Sequence, residues 1–520
     1  MRILHGIGTV LLLVGVAAQA QEPLAVGTVV YENDFEGEQA LSGWSRKPTL
    51  VPGRNGGKAI FFEQPKEKGP GTPFLRHALP AERLRGCVMN LSGWIRTEDV
   101  SKPPNTWNGV KYMAPSEGPG GKQYPQAKVT IGTLPWHRVV FAARIPVDAT
   151  KWDLHLGLES VTGKVWFDDL RIIVRKLPLG DPKPVATGPA YRGHELPRLR
   201  GAMVSDNVSL ESLATFGSEW NANLVRWQLT KWKPKRKEFD LAAYDRWLEG
   251  KLALLDAALP QCRKSGMYVV VDLHSKPGGG PDSGKSLFNS KECQDRFIQN
   301  WRKMALRYRD SDVVWGYDLA NEPNEQAVDV ELMDWQALAE AAAKAIREVD
   351  TRHAIIVEPA AGGNPNGLVG FRPIDVPNVV YSVHMYLPHS FTHQGVRGQW
   401  SKQYTYPGEI GGKHWDKARL EQALKPAIDF QKTFNVHMYI GEFSAIRWAP
   451  DNSAHRYLRD CIDIFEAHGW DWTYHAYREW TGWSVEHSND REQGKPTPEP
   501  NDRQRLLRGW LKRNQKPRWE

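Results

Sequence analysis

From about residue 198 onwards, short apolar runs alternate with longer amphipathic stretches. Short runs bounded by turn residues are typical of buried parallel strands, and apolar positions recurring every three or four residues indicate helices. The strand pattern occurs at Arg200–Val204, Asn223–Leu229, Tyr268–His274, Val313–Ala320, Ala354–Glu358, Val379–Tyr386, His437–Phe443 and Trp472–Arg478. The helical pattern occurs at Leu241–Ser265, Lys291–Tyr308, Glu331–Val349, Lys417–Phe434 and Ser453–His468. Eight strands with crossovers predict a (β/α)8 TIM barrel.

A doubly wound open sheet is the alternative for this strand and helix order. The glycine-rich stretch Pro277-Gly278-Gly279-Gly280 leads to no dinucleotide-binding fingerprint, which disfavours that alternative. The link Ala360–Asn378 is rich in Gly and Pro, so we expect no full helix between the fifth and sixth strands.

The region from about residue 26 to 176 shows a different pattern, with short strands and no helix. The predicted strands are Val29–Tyr31, Ala59–Glu63, Cys87–Arg96, Ala127–Ile131, Arg138–Ile145, Leu154–Glu159 and Lys164–Val174. Many short strands at this spacing indicate a jelly-roll-like β-sandwich. We expect a multidomain chain with a sandwich at residues 21–176, a Pro- and Gly-rich linker at 177–194, and the barrel at 195–520.

The first 20 residues have the pattern of a signal peptide. Arg2 precedes an apolar run from Ile7 to Val16, and Ala18-Gln19-Ala20 offers a cleavage site. The run is shorter than the about 18 apolar residues of a membrane-spanning helix. We therefore expect a secreted or periplasmic protein that does not insert into membranes.

Composition and charge add limited information about partners. The 68 basic and 60 acidic residues give a net charge of +8, which is mild for 520 residues. Basic runs at Lys231–Lys237 and Arg503–Arg518 belong to no nucleic-acid-binding motif, so we expect no nucleic-acid partner. We also expect a monomer. The 22 Trp residues fit either a large aromatic core or rings that stack on sugars. The four widely spaced Cys residues include no pair with metal-ligand spacing.

Polar side chains cluster where the predicted barrel strands end, which is where barrel enzymes carry their chemistry. Asn321 and Glu322 follow the fourth strand, and Glu442 lies at the end of the seventh. Cleavage of an acetal needs one protonated carboxyl to donate to the leaving oxygen and one ionised carboxylate to attack or to activate water. The two glutamates therefore predict glycosidic chemistry.

Other residues at the strand ends fit supporting roles. Arg226 near Glu442 would keep that carboxylate charged, so that Glu322 would carry the proton. Tyr386 could orient Glu442 through a hydrogen bond, and Asn321 could hold a sugar hydroxyl. Arg226 could instead be an internal ion pair of the barrel, and His274 and His384 could be core histidines. We expect Asp272 and Asp318 to be structural.

These motifs resemble glycoside hydrolase family 5, the cellulase-like family of retaining barrel glycosidases. The resemblance covers roughly residues 195–515 and rests on Asn321-Glu322-Pro323 and Ile440-Gly441-Glu442-Phe443, with three further motifs in the family's order: Val225-Arg226, Asp272-Leu273-His274 and His384-Met385-Tyr386. It implies Glu322 as acid/base and Glu442 as nucleophile, a covalent glycosyl-enzyme, net retention and no required cofactor or catalytic metal.

The end of the eighth strand departs from this family pattern. The family usually has a tryptophan there as a floor under the sugar, whereas Trp472-Thr473-Tyr474-His475 places His475 at that point. Trp480 or Trp483 from the following loop could supply the floor instead. The loop after the sixth strand carries Phe391, Trp400, Tyr404, Tyr406 and Trp415, which fit either stacking subsites or a small hydrophobic core.

The N-terminal region resembles carbohydrate-binding modules of the jelly-roll kind. Asn33-Asp34-Phe35-Glu36-Gly37 and Trp166-Phe167-Asp168-Asp169-Leu170 are similar to their first and last strands, which often share a structural calcium ion. Glu36 and Asp169 are the candidate ligands. Trp94, Trp107 and Tyr112 are possible sugar platforms, with core packing the expected role of Trp94. A sandwich that only supports the barrel is the alternative.

We therefore expect a retaining β-glycoside hydrolase that cleaves a β-1,4-glucan such as cellulose, a mannan or a mixed-linkage glucan by double displacement. An exo-acting β-glycosidase on oligosaccharides or glycosides is one alternative. A non-catalytic carbohydrate-binding protein is the alternative from another class.

Overall fold

The computed structural model describes residues 24–119, 121–128, 131–178, 187–234, 240–278, 286–325, 329, 331–396 and 401–519. The chain divides into two compact units, Met1–Pro178 and Leu179–Glu520. The predicted signal peptide lies outside the described residues and stays a prediction. No helix in the described part of the chain combines the length and apolar character that a membrane crossing requires.

The N-terminal unit consists of two antiparallel sheets. One sheet contains β1 (Val29–Asn33), β2 (Thr49–Pro52), β3 (Lys58–Gln64), β5 (Val88–Val100), β9 (Gly132–Arg144) and β11 (Gly163–Lys176). The other contains β4 (Phe74–Leu79), β6 (Gly109–Met113), β7 (Ser116–Gly118), β8 (Gly121–Gln123) and β10 (Lys151–Glu159). Leu91 and Ile95 of β5 and Leu154 and Leu156 of β10 are fully buried in the core of this unit. The predicted β-rich architecture is confirmed.

Sequence reasoning misplaced some strands of this unit. The strand predicted at Ala127–Ile131 is wrong, because Ala127, Lys128 and Ile131 are not in a strand. Five strands (β2, β4, β6, β7 and β8) were not predicted, and each has only three to six residues. A strand this short contains too few alternations for its pattern to stand out from a loop.

The C-terminal unit is a closed barrel of eight parallel strands. The strands are β12 (Arg200–Ser205), β13 (Leu224–Gln228), β14 (Tyr268–Asp272), β15 (Val314–Asp318), β16 (Ala354–Val357), β17 (Val379–Met385), β20 (Met438–Phe443) and β21 (Asp471–Tyr474). The predicted (β/α)8 barrel is confirmed, and every predicted strand is present. The eighth was predicted too long, because the chain leaves the sheet after Tyr474. β18 (Gly408–Ile410) and β19 (Lys413–Trp415) form a separate hairpin.

The helices are α1 (Leu210–Ser218), α2 (Leu241–Lys264), α3 (Lys291–Tyr308), α4 (Trp335–Arg347), α5 (His389–Thr392), α6 (Lys417–Phe434), α7 (Ser453–Ala467) and α8 (Asp502–Leu511). Four of the five predicted helices begin after an acidic or hydroxyl cap; Asp240, Ser290, Asp334 and Asp416 each accept a backbone N–H three residues on. The link between β16 and β17 contains only a short 3₁₀ turn, Pro365–Leu368, as predicted.

A buried charged cluster lies at the amino-terminal end of the barrel. Asp471, at the start of β21, accepts from His194 Nε2 at 2.8 Å and from His437 Nε2 at 2.6 Å, and its second oxygen accepts the Leu199 N–H at 2.7 Å. Burial alone would raise the pKa of Asp471, but the charges and hydrogen bonds of His437 and His194 hold it well below its ordinary value. The cluster therefore ties the segment before β12 to the base of the barrel.

We expect Asp471→Asn to lower the free energy of unfolding at pH 7 by about 3 kcal/mol, because a buried histidine N–H loses its acceptor. Since the folded-state pKa of Asp471 is depressed, its contribution is present above the unfolded pKa of about 3.9 and is lost as the pH falls further. Urea unfolding should show that the difference in free energy of unfolding between the wild type and Asp471→Asn is smaller at low pH than at pH 7. Asp463→Asn, at an exposed ion pair with Lys417, should change the stability by less than about 1 kcal/mol at either pH. Equal effects of the two substitutions would contradict the assignment.

Candidate active site

Two glutamates meet at the carboxyl-terminal end of the barrel. Glu322 lies in the turn after β15, and Glu442 lies near the end of β20. One carboxylate oxygen of each lies within 4.8 Å of the other and of a ring nitrogen of His384. The Glu442 side chain is 4% exposed and the Glu322 side chain 41% exposed. One carboxylate is therefore held inside the barrel while the other is open to the mouth.

Arg226, from β13, is fully buried and joins the acidic groups of this end of the barrel. Its guanidinium contacts Asp318 Oδ2 at 2.9 Å, Glu442 Oε1 at 2.7 Å, Glu358 Oε1 at 3.1 Å, Asp272 Oδ1 at 3.2 Å and Asn321 Oδ1 at 3.2 Å. Burial alone would lower the pKa of Arg226, but the four carboxylates hold it well above its ordinary value. Arg226 is thus an internal ion-pair centre and also a direct partner of Glu442, so both predicted placements apply.

Glu442 is surrounded by groups that favour its ionised form. Tyr386 donates its hydroxyl to Glu442 Oε2 at 2.8 Å, and His475 Nδ1 lies 3.2 Å from the same oxygen. Burial alone would raise the pKa of Glu442, but the charges of His384 and His475, the hydrogen bond from His475 and the charge of Arg226 hold it well below its ordinary value. The sequence predicted only the arginine as the source of this effect.

The two histidines carry shifts of the opposite sign. Burial alone would lower the pKa of His384, but Glu358, Glu442 and Glu322 raise it well above its ordinary value. His384 Nδ1 lies 3.1 Å from Glu322 Oε1, and Nε2 lies 3.1 Å from Glu358 Oε1. Burial alone would also lower the pKa of His475, but Glu442 and Glu479 raise it above its ordinary value. Both rings therefore favour the cationic form beside Glu442.

Asp272 and Asp318 are buried behind these residues. Burial raises the pKa of Asp318 well above its ordinary value, with Arg226 opposing the shift and Glu358 and Asp272 adding to it. Asp272 also accepts from His274 Nδ1 at 2.9 Å, which leaves the half-buried His274 ring at the mouth. Both aspartates lie beneath the open part of the site, which agrees with the structural role expected for them.

Glu358 and Lys276 complete the site and were not predicted. Glu358 directly follows β16, is fully buried, and accepts from Arg226 and from the backbone N–H of Glu322. Lys276, in the loop after β14, donates its ammonium group to the backbone carbonyl of Asn321 at 2.5 Å. Glu358 could have been identified by the rule used for the other strands, namely that a polar residue directly after a barrel strand is a candidate site residue. The approach of Lys276 depends on the path of its loop, for which the sequence contains no short-range signal.

His475 follows β21 directly, where the sequence placed it, and contacts Tyr386 as well as Glu442. Trp483 is buried against the rings of Tyr386 and His475, with centroids 6.0 and 5.8 Å away. Trp480 is 40% exposed and packs edge-to-face on Trp448 and Trp483. Trp480 therefore presents a ring surface to solvent, whereas Trp483 supports the residues around Glu442.

The buried aromatic residues of the loop after β17 belong to the main hydrophobic core of the barrel unit. Phe391 and Tyr406 are fully buried and Trp415 is nearly so. Of the other predicted aromatic positions, Tyr404 is half-buried, and Trp400 lies outside the described residues. Three of these rings therefore pack in the core of the barrel unit and are not available for stacking on a ligand.

The predicted ligand-binding residues of the N-terminal unit have mixed outcomes. Tyr112 is fully buried and donates to the Ser92 carbonyl, so its assignment as a sugar platform is wrong. Trp94 lies outside the buried core, with the Arg54 guanidinium 3.6 Å from its ring centroid, so the core role expected for it is also wrong. Trp107 is 61% exposed.

The two carboxylates predicted to bind calcium are both engaged with N–H donors. Asp169 pairs with the Arg54 guanidinium, and Glu36 accepts the backbone N–H of Lys58. A calcium ion takes six to eight oxygen ligands and would have to displace these donors. Calcium at this place stays a prediction.

Comparison with known proteins defines the class of the barrel. The sequence model described as Cellulase (glycosyl hydrolase family 5) matches residues 186–487. Endoglucanase C of Acetivibrio thermocellus is 29% identical over 257 residues, covering 44% of this chain and 73% of that protein. Cellodextrinase A of Ruminococcus flavefaciens is 28% identical over 239 residues, covering 44% and 68%. A crystal structure of a glycoside hydrolase shares the fold, with a TM-score of 0.50, 22% identity and coverage of 60% of this chain and 99% of that one.

The closed barrel and its paired carboxylates thus define a glycoside hydrolase. The chain belongs to glycosyl hydrolase family 5.

Proposed function

We propose that this chain hydrolyses a β-linked glucan with net retention, with Glu442 as the nucleophile and Glu322 as the acid/base. The observation that carries the proposal is the approach of the two carboxylates to within 4.8 Å. Retaining glycosidases hold their carboxyl groups about 5 Å apart, whereas inverting enzymes need more room for a water molecule between carboxylate and sugar.

In the first step, a carboxylate oxygen of Glu442 attacks the anomeric carbon while the bond to the glycosidic oxygen breaks. The leaving oxygen takes a proton from Glu322. His384, His475 and Arg226 support this assignment, because they hold the pKa of Glu442 well below its ordinary value inside the barrel. The open position of Glu322 supports its access to a leaving group in the cleft.

In the second step, Glu322 takes a proton from a water molecule, which attacks the same carbon. The ester bond to Glu442 breaks and both carboxyl groups return to their starting states. Two displacements at one carbon leave its configuration unchanged. No metal or organic cofactor is required for these steps.

Other residues at the mouth fit contacts to the sugar. Asn321 directly precedes Glu322 and contacts Arg226, and the half-buried His274, which follows the neighbouring strand β14, contacts Asp272; both side chains can bind hydroxyl groups. The exposed ring of Trp480 can stack on a sugar unit further along the cleft. We propose that His475 occupies the cleavage subsite, where it contacts Tyr386 and Glu442.

We propose internal cleavage of β-1,4-glucan as the activity, supported by the similarity to Endoglucanase C. Mannan and mixed-linkage glucan remain candidate substrates. Exo-action on oligosaccharides is the second candidate, favoured by the similarity to Cellodextrinase A.

A panel of soluble β-glucans, mannans, xylans and aryl β-glycosides tests this proposal. We expect the fastest turnover on β-1,4-glucan, with a mixture of oligosaccharide lengths in early samples. Proton NMR of the first products should show the β-anomer before mutarotation. Initial α-anomer would contradict retention, and release of a single short product from the start would favour exo-action.

Glu442→Gln is the internal control for this panel. We expect kcat to fall at least about 10⁴-fold on every substrate, with oligosaccharide binding nearly intact, because the nucleophile is lost while the cleft remains. Glu479→Gln removes a neighbouring carboxylate, which contacts His475 Nε2 at 3.7 Å. This substitution should lower kcat far less than Glu442→Gln does. Activity of Glu442→Gln close to that of the wild type would contradict the nucleophile assignment.

His475→Gln should move the acidic limb of the kcat/KM profile upwards by about one pH unit. The reason is that one of the cations holding the pKa of Glu442 down is removed, so the nucleophile becomes protonated at higher pH. The measurement is the pH dependence of kcat/KM on a soluble substrate. His455→Gln, a half-buried histidine on α7, serves as the control and should leave the limb in place. An unmoved limb in His475→Gln would contradict the assignment.

We also propose that the N-terminal unit binds glycan, with Trp107 as a stacking surface. The support is the high exposure of this ring, which an isolated packing role would not require. Trp107→Ala in the full chain should weaken binding to insoluble cellulose and leave hydrolysis of short soluble substrates unchanged. Unchanged binding to cellulose would contradict the proposal.

A further inference from the structure

The peptide bond between Asn321 and Glu322 is held from both sides by charged side chains. On the carbonyl side, Lys276 Nζ donates to the Asn321 oxygen at 2.5 Å. On the amide side, the Glu322 N–H donates to Glu358 Oε2 at 2.9 Å. An ammonium donor and a carboxylate acceptor form stronger hydrogen bonds than neutral groups do.

Lys276 is placed for this contact at a cost in solvation. The residue is half-buried, and burial lowers the pKa of its ammonium group. The nearby carboxylates of Glu358, Asp272 and Glu322 oppose that shift without cancelling it. An amine held in such surroundings needs hydrogen-bond acceptors, and the Asn321 carbonyl is one of them.

Glu358 is fixed on its other side by the same network that surrounds the nucleophile. Its Oε1 atom contacts Arg226 Nη2 and His384 Nε2, each at 3.1 Å, so that Oε2 is left to accept the Glu322 N–H. Gly363 leaves room for this carboxylate, because an added Cβ atom at that position would lie 2.8 Å from Oε2. Glu358 thus links the buried ion pairs to the backbone of the proton donor.

This backbone has an unusual conformation. Glu322 has a φ of 45°, in the left-handed region that residues other than glycine adopt infrequently. The following residues are also tied to the loop after β16, because Gly362 donates to the Pro323 carbonyl at 3.1 Å and Asn324 forms an isolated bridge with Ala361. A left-handed glutamate in a turn keeps its side-chain direction only if the surrounding contacts hold the backbone.

We propose that Lys276 and Glu358 are positioning residues that clamp the Asn321–Glu322 peptide bond and thereby aim the Glu322 carboxyl at the glycosidic oxygen. This inference rests on the proposed role of Glu322 as the acid/base. The clamp acts through the backbone, so neither side chain needs to contact the reacting atoms. Loss of the clamp would impair proton transfer more than attack by Glu442.

The experiment uses two aryl β-glycosides of the same sugar with different leaving groups. Dinitrophenolate departs without protonation, whereas phenol needs a proton from the acid/base. For Lys276→Met we expect kcat/KM on the phenyl substrate to fall about 10- to 100-fold, the size of a lost orienting contact. On the dinitrophenyl substrate, kcat/KM should change less than about threefold.

The second step supplies an independent readout. With the dinitrophenyl substrate, kcat of Lys276→Met should fall, because water attack on the glycosyl-enzyme needs Glu322 as the base. Azide needs no base. It attacks the anomeric carbon, the ester bond to Glu442 breaks, and a β-glycosyl azide leaves. Azide should therefore raise kcat of Lys276→Met and have little effect on the wild type.

Two further variants, Lys276→Arg and Lys516→Met, separate positioning from folding. Lys276→Arg keeps an N–H donor and should recover most of the activity on the phenyl substrate. Lys516→Met is the matched structural control, because Lys516 also donates to backbone carbonyls, those of Gly217 and Ser265, far along the chain from the site. It should lower the thermal unfolding temperature without any dependence of the loss on the leaving group. If Lys276→Met does not fold, Lys276→Gln replaces it in the same comparison.

Glu322→Ala separates this inference from the proposed function. If Glu322→Ala itself shows no leaving-group dependence and no azide rescue, the assignment of Glu322 as acid/base is wrong. If Glu322→Ala shows both and Lys276→Met loses activity equally on the two substrates, the clamp is overturned. A loss in Lys276→Met that is confined to KM would also overturn it, because that result indicates a direct contact with the sugar.

Discussion

One buried guanidinium, that of Arg226, determines the arrangement of the active end of the barrel. It faces the carboxyl groups of Asp272, Asp318, Glu358 and Glu442, whose side chains are at most 4% exposed. Removing a single charge from water costs several kcal/mol, so carboxylates could not be gathered here without a cation among them. Conversely, an arginine inside a barrel requires acceptors on several strands. The side chains of five strand ends are therefore fixed by one set of contacts.

This network divides the two glutamates into different states. Glu442 lies inside it, beside three groups that favour its negative charge. Glu322 lies at its edge, with an exposed side chain and a backbone that is tied to the network through Glu358. A parallel barrel makes this division possible because its strands all end at one face, so two separate strands, β15 and β20, supply the open carboxyl group and the buried one. Proton transfer and nucleophilic attack can then be assigned to separate groups.

The sequence predicted most of the barrel because its strands are short apolar runs between helices with clear caps. It also grouped Glu322, Glu442, Arg226 and Tyr386 at one site, since Arg226 lies within such a run and each of the others follows or ends one. It missed Glu358, which the same rule covers, and Lys276, whose approach depends on how a loop folds back. The lowering of the Glu442 pKa by His384 and His475 could be recognised only from the distances between their ring nitrogens and the carboxylate. In the N-terminal unit, strands of three to six residues escaped detection, and only the structure showed that Tyr112 points into the core.

Covalent trapping tests the central claim that the network keeps Glu442 ionised for attack. A 2-deoxy-2-fluoro β-glycoside with a dinitrophenolate leaving group should inactivate the enzyme. Fluorine slows both formation and hydrolysis of the glycosyl-enzyme, whereas the activated leaving group speeds its formation only, so the intermediate accumulates. Mass spectrometry of the digested protein should then locate one sugar on the peptide that contains Glu442. A label on a peptide with Glu322 or Glu358 in its place, or turnover without any label, would contradict the account.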